Sequence, residues 1–75
     1  MLTADPALKK LVHVMGVDRA QSVIEEVLRR IGRSALETAD DRYRFAVELM
    51  KKGGVLEAVG RSIKIQAILL GAKED

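Results

Sequence analysis

The sequence predicts an all-α fold, a compact domain of four helices, or of five if Gly60 breaks the last one. Apolar residues recur at spacings of three and four along most of the chain, as they do on one face of an α helix. Glycines follow these apolar stripes where helices commonly end. Cysteine is absent, so neither a disulfide nor a thiolate metal site is available to shape a chain of 75 residues. We therefore expect one small helical domain over residues 1–75.

The first helix is predicted over residues 6–15. Asp5 can cap its N-terminus, and Pro6 suits the first helical position because its missing N–H needs no partner there. Gly16 is expected to end the helix, since glycine readily adopts the left-handed conformation found at helix C-termini. The apolar stripe consists of Leu8, Leu11, Val12 and Met15.

The second helix is predicted over residues 19–31. Asp18 and Gln21 have the spacing of a capping box, in which each side chain bonds the backbone N–H of the other residue. Gly32 is the expected C-terminal stop. The apolar stripe consists of Ala20, Val23, Ile24, Val27, Leu28 and Ile31.

The central helix is predicted over residues 35–52, and we expect it to be the hub of the core because it carries both large aromatic side chains. Ser34 and Glu37 form a capping-box pair at its start, and Thr38 and Asp41 form a rival pair one turn later. Two lysines before a Gly-Gly pair mark its C-terminus. Its apolar face consists of Leu36, Ala39, Tyr43, Ala46, Val47 and Met50, widened by Phe45 and Leu49.

The last segment, residues 55–71, has two interpretations. Its apolar residues fit a helix, but residues 62–67 alternate between apolar and polar as in a strand. A lone strand would have no partner in a helical chain, except across a dimer axis, so we predict a helix. Residues 55–62 repeat residues 27–34 at five of eight positions. If this repeat is structural, Gly60 ends one helix and the serine two residues later caps another.

Two Gly-Arg-Ser turns, at residues 32–34 and 60–62, are candidate anion sites. Each would place a serine hydroxyl, free backbone N–H groups and an arginine at a helix N-terminus, where the helix dipole favours an anion. Plain helix capping beside a solvated arginine explains the same pattern. The candidate phosphate contacts are Arg29, Arg30, Arg33, Ser34, Arg61 and Ser62, with Lys51 and Lys52 beside them.

The first two helices also have the outline of a helix-turn-helix. The register departs from that motif by one residue, because Ser22 stands where the motif has an apolar residue and the apolar Val23 follows it. The same turn is similar to a helix-hairpin-helix, which holds nucleic-acid phosphates on backbone amides. The matching residues are Leu11, Val14, Gly16 and Val17. Asp18 replaces the final glycine of that motif, and its carboxylate would repel a phosphate.

No catalytic, cofactor or metal site is predicted, and we do not expect an enzyme. His13 is the single histidine and falls on the polar side of the first helix, with no serine or aspartate placed to complete a triad. The acidic pairs Asp40/Asp41 and Glu25/Glu26 are sequence neighbours. Neighbouring side chains point about 100° apart on a helix, so the members of each pair do not share a site.

We predict a small non-catalytic cytoplasmic protein that regulates or binds other proteins through helix faces, as a homodimer. The last helix is apolar on nearly every side, and such a helix must be buried by something. The predicted interface residues are Ile63, Ile65, Ile68, Leu69 and Leu70. No membrane segment is expected, because the longest nearly uncharged run, residues 65–72, is far too short to span a bilayer.

The alternative prediction is a nucleic-acid-binding regulatory protein, similar to a helix-turn-helix, in which arginines contact phosphates. The chain has 13 basic and 11 acidic residues and a net charge of +2, which is a mild excess of positive charge. Acids are interleaved with the bases throughout the sequence. Clustering of Arg29, Arg30, Arg33 and Arg61 on one face would favour this alternative.

Overall fold

The chain folds into four α helices joined by short connections. A computed structural model describes the backbone of residues 6–72 and the side chains of residues 8–72. The helices are α1 (Pro6–Met15), α2 (Val17–Ile31), α3 (Ala39–Met50) and α4 (Gly54–Leu69). Residues 6–72 contain no strand, so the predicted all-α fold of four helices is confirmed. The cap predicted at Asp5 lies outside the described residues.

Helices α1 and α2 meet at Gly16, whose φ of 84° is a conformation that other residues rarely adopt. The Gly16 N–H donates to the carbonyl oxygen of Val12 at 2.9 Å, which closes α1. No side chain caps α2, which begins at Val17, so Asp18 lies inside the first turn of the helix and not at the predicted cap position. Its carboxylate still suits the positive end of the helix dipole.

Helix α2 ends at Gly32, as predicted. Gly32 has a φ of 75° and donates its N–H to the carbonyl oxygen of Arg29 at 3.2 Å. The next N–H, of Arg33, donates to the carbonyl oxygen of Leu28 at 3.0 Å. These two bonds form the Schellman pattern, which satisfies carbonyl groups that the helix would otherwise leave without a partner.

Helix α3 begins at Ala39, so the start predicted from Ser34 and Glu37 is wrong and the rival start at Thr38 is confirmed. The hydroxyl of Thr38 accepts the Asp41 N–H at 3.0 Å, and the Asp41 carboxylate accepts the Thr38 N–H at 3.2 Å. The later start is favoured because the Asp41 carboxylate is buried and has further hydrogen-bond donors in the preceding loop.

Helices α3 and α4 form a helical hairpin, the most extensive helix pair of the fold. Helix α4 continues unbroken through Gly60, so the predicted break and fifth helix do not form in the described residues. A Cβ at Gly60 would lie 2.8 Å from the carbonyl oxygen of Ala46 and 2.7 Å from Cγ of Met50. Gly60 therefore permits a close helix contact, whereas Gly32 ends a helix, and the sequence repeat is not structural.

The core lies between all four helices and is aliphatic around one aromatic ring. Phe45 is fully buried on α3, as expected of the hub, whereas Tyr43 is only half-buried. The buried face of α3 therefore differs from the predicted one and consists of Asp41, Phe45, Ala46 and Leu49. The largest fully buried side chains are Phe45, Leu11, Ile24, Leu49 and Val27.

Candidate interaction surface

Helix α4 presents apolar side chains on two opposite faces. Its buried residues are Val59, Gly60, Ile63 and Ala67. Ile63 is 2% exposed and Ile65 is 53% exposed, because residues two apart on a helix point about 160° away from each other. The strand-like alternation of residues 62–67 is therefore the pattern of a helix with an inner and an outer apolar face.

The α4 outer face consists of Val55, Ala58, Ser62, Ile65 and Leu69. Its spacing alternates between three and four residues, which is the spacing of the a and d positions of a coiled coil. The three large side chains of this face are exposed in the single chain, at 60% for Val55, 53% for Ile65 and 80% for Leu69. The two small residues, Ala58 and Ser62, lie between them.

A hollow of about 520 Å³ lies along the α4 outer face, over its small residues. Its lining residues are Ala58, Arg61, Ser62, Ile65, Gln66 and Leu69. Two groups of four residues in this set, 58/61/62/65 and 62/65/66/69, have the spacing i, i+3, i+4 and i+7. In coiled-coil packing, four residues with this spacing surround each hole. This open hollow leaves room for a side chain from a second helix.

The rim of the α4 outer face carries two cations and one carboxylate. Lys10 of α1 donates to the hydroxyl of Ser62 at 2.8 Å. Arg61 pairs with Glu57, one helical turn before it, at 2.8 Å. Both interactions are exposed, so each contributes little to the stability of the fold.

The structure divides the predicted interface residues between the core and the surface. Ile63 belongs to the core and cannot contact a partner in the folded chain, which corrects its placement at an interface. Ile65 and Leu69 lie on the α4 outer face, Ile68 is half-buried, and Leu70 is 66% exposed just beyond the helix. The residues that sequence reasoning missed are Val55 and Ala58, and their three-and-four spacing with Ser62 would have identified them.

A second concavity, of about 650 Å³, lies between the end of α2 and helix α3. Its lining mixes charged side chains with apolar and aromatic ones, and consists of Arg30, Ile31, Asp40, Tyr43, Arg44, Val47 and Glu48. An adjoining hollow is lined by Arg30, Glu48, Lys51 and Lys52. We call these two concavities together the α2–α3 groove. Tyr43 of this groove also has a cation near its ring, because the ammonium of Lys64 on α4 lies 6.0 Å from the ring centre.

Neither Gly-Arg-Ser turn forms the predicted helix N-terminus. Ser34 is exposed in the connection between α2 and α3, outside either helix. Arg61 and Ser62 lie in the middle of α4, where the backbone N–H groups are used within the helix. The anion sites expected from helix dipoles at these two turns are therefore not present.

Most of the bases proposed as phosphate contacts have a carboxylate partner within the chain. Arg30 and Lys52 both reach Glu26, at 3.5 and 2.8 Å, and Lys51 reaches Glu48 at 2.8 Å. The hydrogen bond from Lys52 is the main reason that the pKa of Glu26 lies below its ordinary value. Among residues 8–72, Arg29 has no ion pair.

The most buried ion pair joins Arg33 to Asp41. The Nε of Arg33 donates to the Asp41 carboxylate at 2.9 Å, and the N–H of Glu37 donates to it at 3.1 Å. The Arg33 hydrogen bond, together with these backbone donors, holds the pKa of Asp41 below its ordinary value of 3.8, although burial acts in the opposite direction. This network fixes the α2–α3 connection, so Arg33 has a structural partner.

The described residues contain no cluster that suggests metal chemistry. Within residues 6–72, no three His, Asp or Glu side chains come together in a way that could hold a metal ion. His13 is exposed on α1. None of the four helices in this part of the chain is long and apolar enough to cross a bilayer.

The chain matches no protein-family model, and comparison with curated proteins and with solved structures found no match. Its function is therefore inferred from the chemistry of its own surfaces.

Proposed function

We propose that this chain is a small non-catalytic interaction domain that forms a homodimer through the α4 outer face and acts as a regulatory protein in the cytoplasm. The observation that supports this function is a seam whose residues are exposed apart from the half-buried Ser62; it consists of Val55, Ala58, Ser62, Ile65 and Leu69. Contiguous exposed apolar surface commonly marks a protein interface. A seam with coiled-coil spacing is most simply covered by another helix.

The size of the seam sets the strength of the proposed dimer. From Val55 to Leu69 the seam is about 21 Å long, at a rise of about 1.5 Å per residue. Burying a large aliphatic side chain contributes about 1.5–3 kcal/mol, but association costs several kcal/mol in lost freedom of movement. A single pair of helices of this length gives an interface at the small end of the range for specific complexes. We therefore expect a weak, reversible dimer.

The substitution Leu69→Glu tests this function. Leu69 is 80% exposed, so a glutamate there leaves the core intact and places a charge in the proposed interface. We expect sedimentation of the unmodified chain, from about 10 µM to about 1 mM, to show reversible dimerisation, and Leu69→Glu to weaken it by more than about tenfold. Ile68→Asp is a less specific test, because Ile68 is half-buried and its substitution also disturbs the core.

Val14→Glu is the matched control. Val14 is 44% exposed on α1 and is not part of the α4 outer face. This variant should dimerise like the unmodified chain. An unmodified chain that stays monomeric over the whole concentration range, or an equal loss of dimer in both variants, would rule out the proposed interface.

Nucleic-acid binding is the second candidate function, and the α2–α3 groove favours it. Arg30, Arg44, Lys51 and Lys52 line this groove together with Tyr43. Cations beside an aromatic ring suit single-stranded nucleic acid, because phosphates contact the cations and a base stacks on the ring. The acidic side chains of the same lining oppose such binding, which is why we rank this function second.

Fluorescence anisotropy with labelled single-stranded and duplex oligonucleotides tests the second candidate. Binding through phosphates must weaken steeply between about 50 and about 200 mM salt. Binding with that salt dependence, reduced by Arg44→Ala and not by Arg29→Ala outside the groove, would support the nucleic-acid function. No binding at the lower salt concentration would exclude it.

A further inference from the structure

We infer that two copies of the chain pair through antiparallel α4 helices, with Ala58 of each copy facing Leu69 of the second copy and Ser62 facing Ile65. This inference rests on the proposed homodimer and specifies its geometry. The two-fold axis would cross α4 between residues 63 and 64, because each facing pair is placed symmetrically about that point.

The sizes of the side chains on the α4 outer face are the first support for this geometry. The small residues, Ala58 and Ser62, lie in the N-terminal half of the seam, and the large residues Ile65 and Leu69 lie in the C-terminal half. An antiparallel partner reverses this order. Ala58 and Ser62 then each face a large residue, so these four central layers have similar volumes, as close packing requires. Val55 lies at the end of the seam, beyond these four layers.

The hollow on α4 is the second support. Ile65 of the second copy would enter the hole formed by Ala58, Arg61, Ser62 and Ile65, which are four of the six residues that line the hollow. Leu69 of the second copy would enter the hole one turn earlier, which is formed by Gly54, Glu57, Ala58 and Arg61. Two of these four residues, the glycine and the alanine, are small. Ile65 of the second copy thus meets the hollow, and Leu69 of the second copy meets a hole with small walls.

A parallel arrangement of the same two helices is less favourable. It would place Leu69 against Leu69 and Ile65 against Ile65, and these layers would hold the helices apart. The Ala58 and Ser62 layers would then leave empty space between small side chains. Parallel helices would also bring like ends of the two helix dipoles together, whereas antiparallel helices bring opposite ends together.

The charges at the rim are compatible with the antiparallel pairing. The Arg61 positions of the two copies would be displaced by five residues, which is about 7.5 Å along the helix axis. Each Arg61 also keeps its own Glu57 at 2.8 Å. In the single chain the Lys10 ammonium donates to Ser62, which is a seam residue, so it has to leave this hydroxyl when Ile65 of the second copy packs there. The long side chain allows the ammonium to reach water at the rim while its methylene groups cover apolar surface.

Disulfide trapping tests the geometry, and the absence of natural cysteines makes it specific. Ala58→Cys and Leu69→Cys variants are prepared separately, mixed in equal amounts and oxidised with a glutathione buffer. Intact-mass spectrometry then separates the three possible covalent dimers, 58–58, 69–69 and 58–69, by mass. In the antiparallel pair, Cys at 58 faces Cys at 69, whereas two copies of the same variant have their cysteines about 16 Å apart along the axis. That distance is too long for a disulfide.

We expect the mixed 58–69 disulfide to exceed both same-variant disulfides by more than about tenfold, since only this pair meets the Cα separation of about 4.4–6.8 Å that a disulfide needs. A Val14→Cys variant on α1 gives the background level of random collision. Dominant 58–58 and 69–69 disulfides would overturn the antiparallel geometry and leave the homodimer standing. Cross-linking no higher than the Val14→Cys background would overturn the geometry. If sedimentation also shows only monomer, the proposed function fails with it.

Discussion

Asp41 is a buried carboxylate that joins three parts of the chain. It caps α3 through Thr38, accepts the N–H of Glu37, and pairs with Arg33 from the end of α2. A carboxylate that accepts several hydrogen bonds is stabilised in its charged form. The pKa of Asp41 in the folded chain is therefore below its value of 3.8 in the unfolded chain, mainly because of Arg33.

This difference in pKa predicts how the stability of the fold depends on pH. A group whose pKa is lower in the folded state stabilises the fold fully above its unfolded pKa, and that contribution is lost as the pH falls through the folded pKa. Urea unfolding from neutral pH down to about pH 2 should therefore show stability falling below about pH 5. Asp41→Asn should be less stable at pH 7 and should have a flatter pH profile in that range.

Asp18→Asn provides the control for this experiment, because Asp18 is exposed in the first turn of α2 and has no part in the buried network. Asp18→Asn should change the pH profile much less than Asp41→Asn does, because an exposed charge near a helix terminus contributes little. A profile that is unchanged in Asp41→Asn would show that the Arg33–Asp41 network does not determine the acid sensitivity of the fold.

The start of α3 shows what sequence can and cannot specify at the scale of a residue. Ser34/Glu37 and Thr38/Asp41 have the same capping-box spacing, so local sequence leaves both starts open. The choice depends on burial of the Asp41 carboxylate and on its bond to Arg33, which is eight residues earlier in the chain. The stops at Gly16 and Gly32 were predictable because glycine readily adopts the positive φ at which a helix ends, and both glycines have it.

At the scale of the helices, Gly60 determines how closely α4 approaches α3. The reason for a glycine at this position lies on another helix, in the Ala46 carbonyl and the Met50 side chain, so a pattern within α4 could not disclose it. The spacing of three and four residues along α4 was enough to predict that the helix has a second apolar face. Which of its two apolar faces is buried depends on where the neighbouring helices lie, so the sequence of α4 alone could not show it.

The substitution Gly60→Ala tests the contact between α3 and α4. Alanine favours a helix over glycine by about 1 kcal/mol, so in an open position this change would stabilise α4. At Gly60 the new Cβ would lie 2.8 Å from a backbone oxygen, which cannot move aside as a flexible side chain can. We expect the free energy of unfolding to fall by about 1–3 kcal/mol, the usual cost of overpacking. Urea unfolding of both proteins measures this difference, and a more stable variant would contradict the close contact.

At the scale of the whole molecule, the charges are mostly balanced close to where they lie. Ion pairs such as Glu26–Lys52 and Glu57–Arg61 neutralise basic side chains locally, and the net charge is only +2. The arginines singled out in the sequence are accordingly distributed over α2, the α2–α3 connection and α4. The α4 outer face, in contrast, has three large apolar side chains that are each more than half exposed, Val55, Ile65 and Leu69.

Salt therefore distinguishes the two candidate functions. Each α4 outer face carries Lys10 and Arg61 at its rim against one carboxylate, Glu57, so two such faces repel each other weakly as they approach. Added salt screens this repulsion and leaves apolar burial in place. Sedimentation at about 50 and about 200 mM salt should show that self-association is unchanged or stronger at the higher salt concentration. Binding to nucleic-acid phosphates would instead weaken steeply over the same range of salt. Self-association that weakens as steeply as phosphate binding would mean that opposite charges hold the two copies together, and would rule out the apolar face of α4 as the interface.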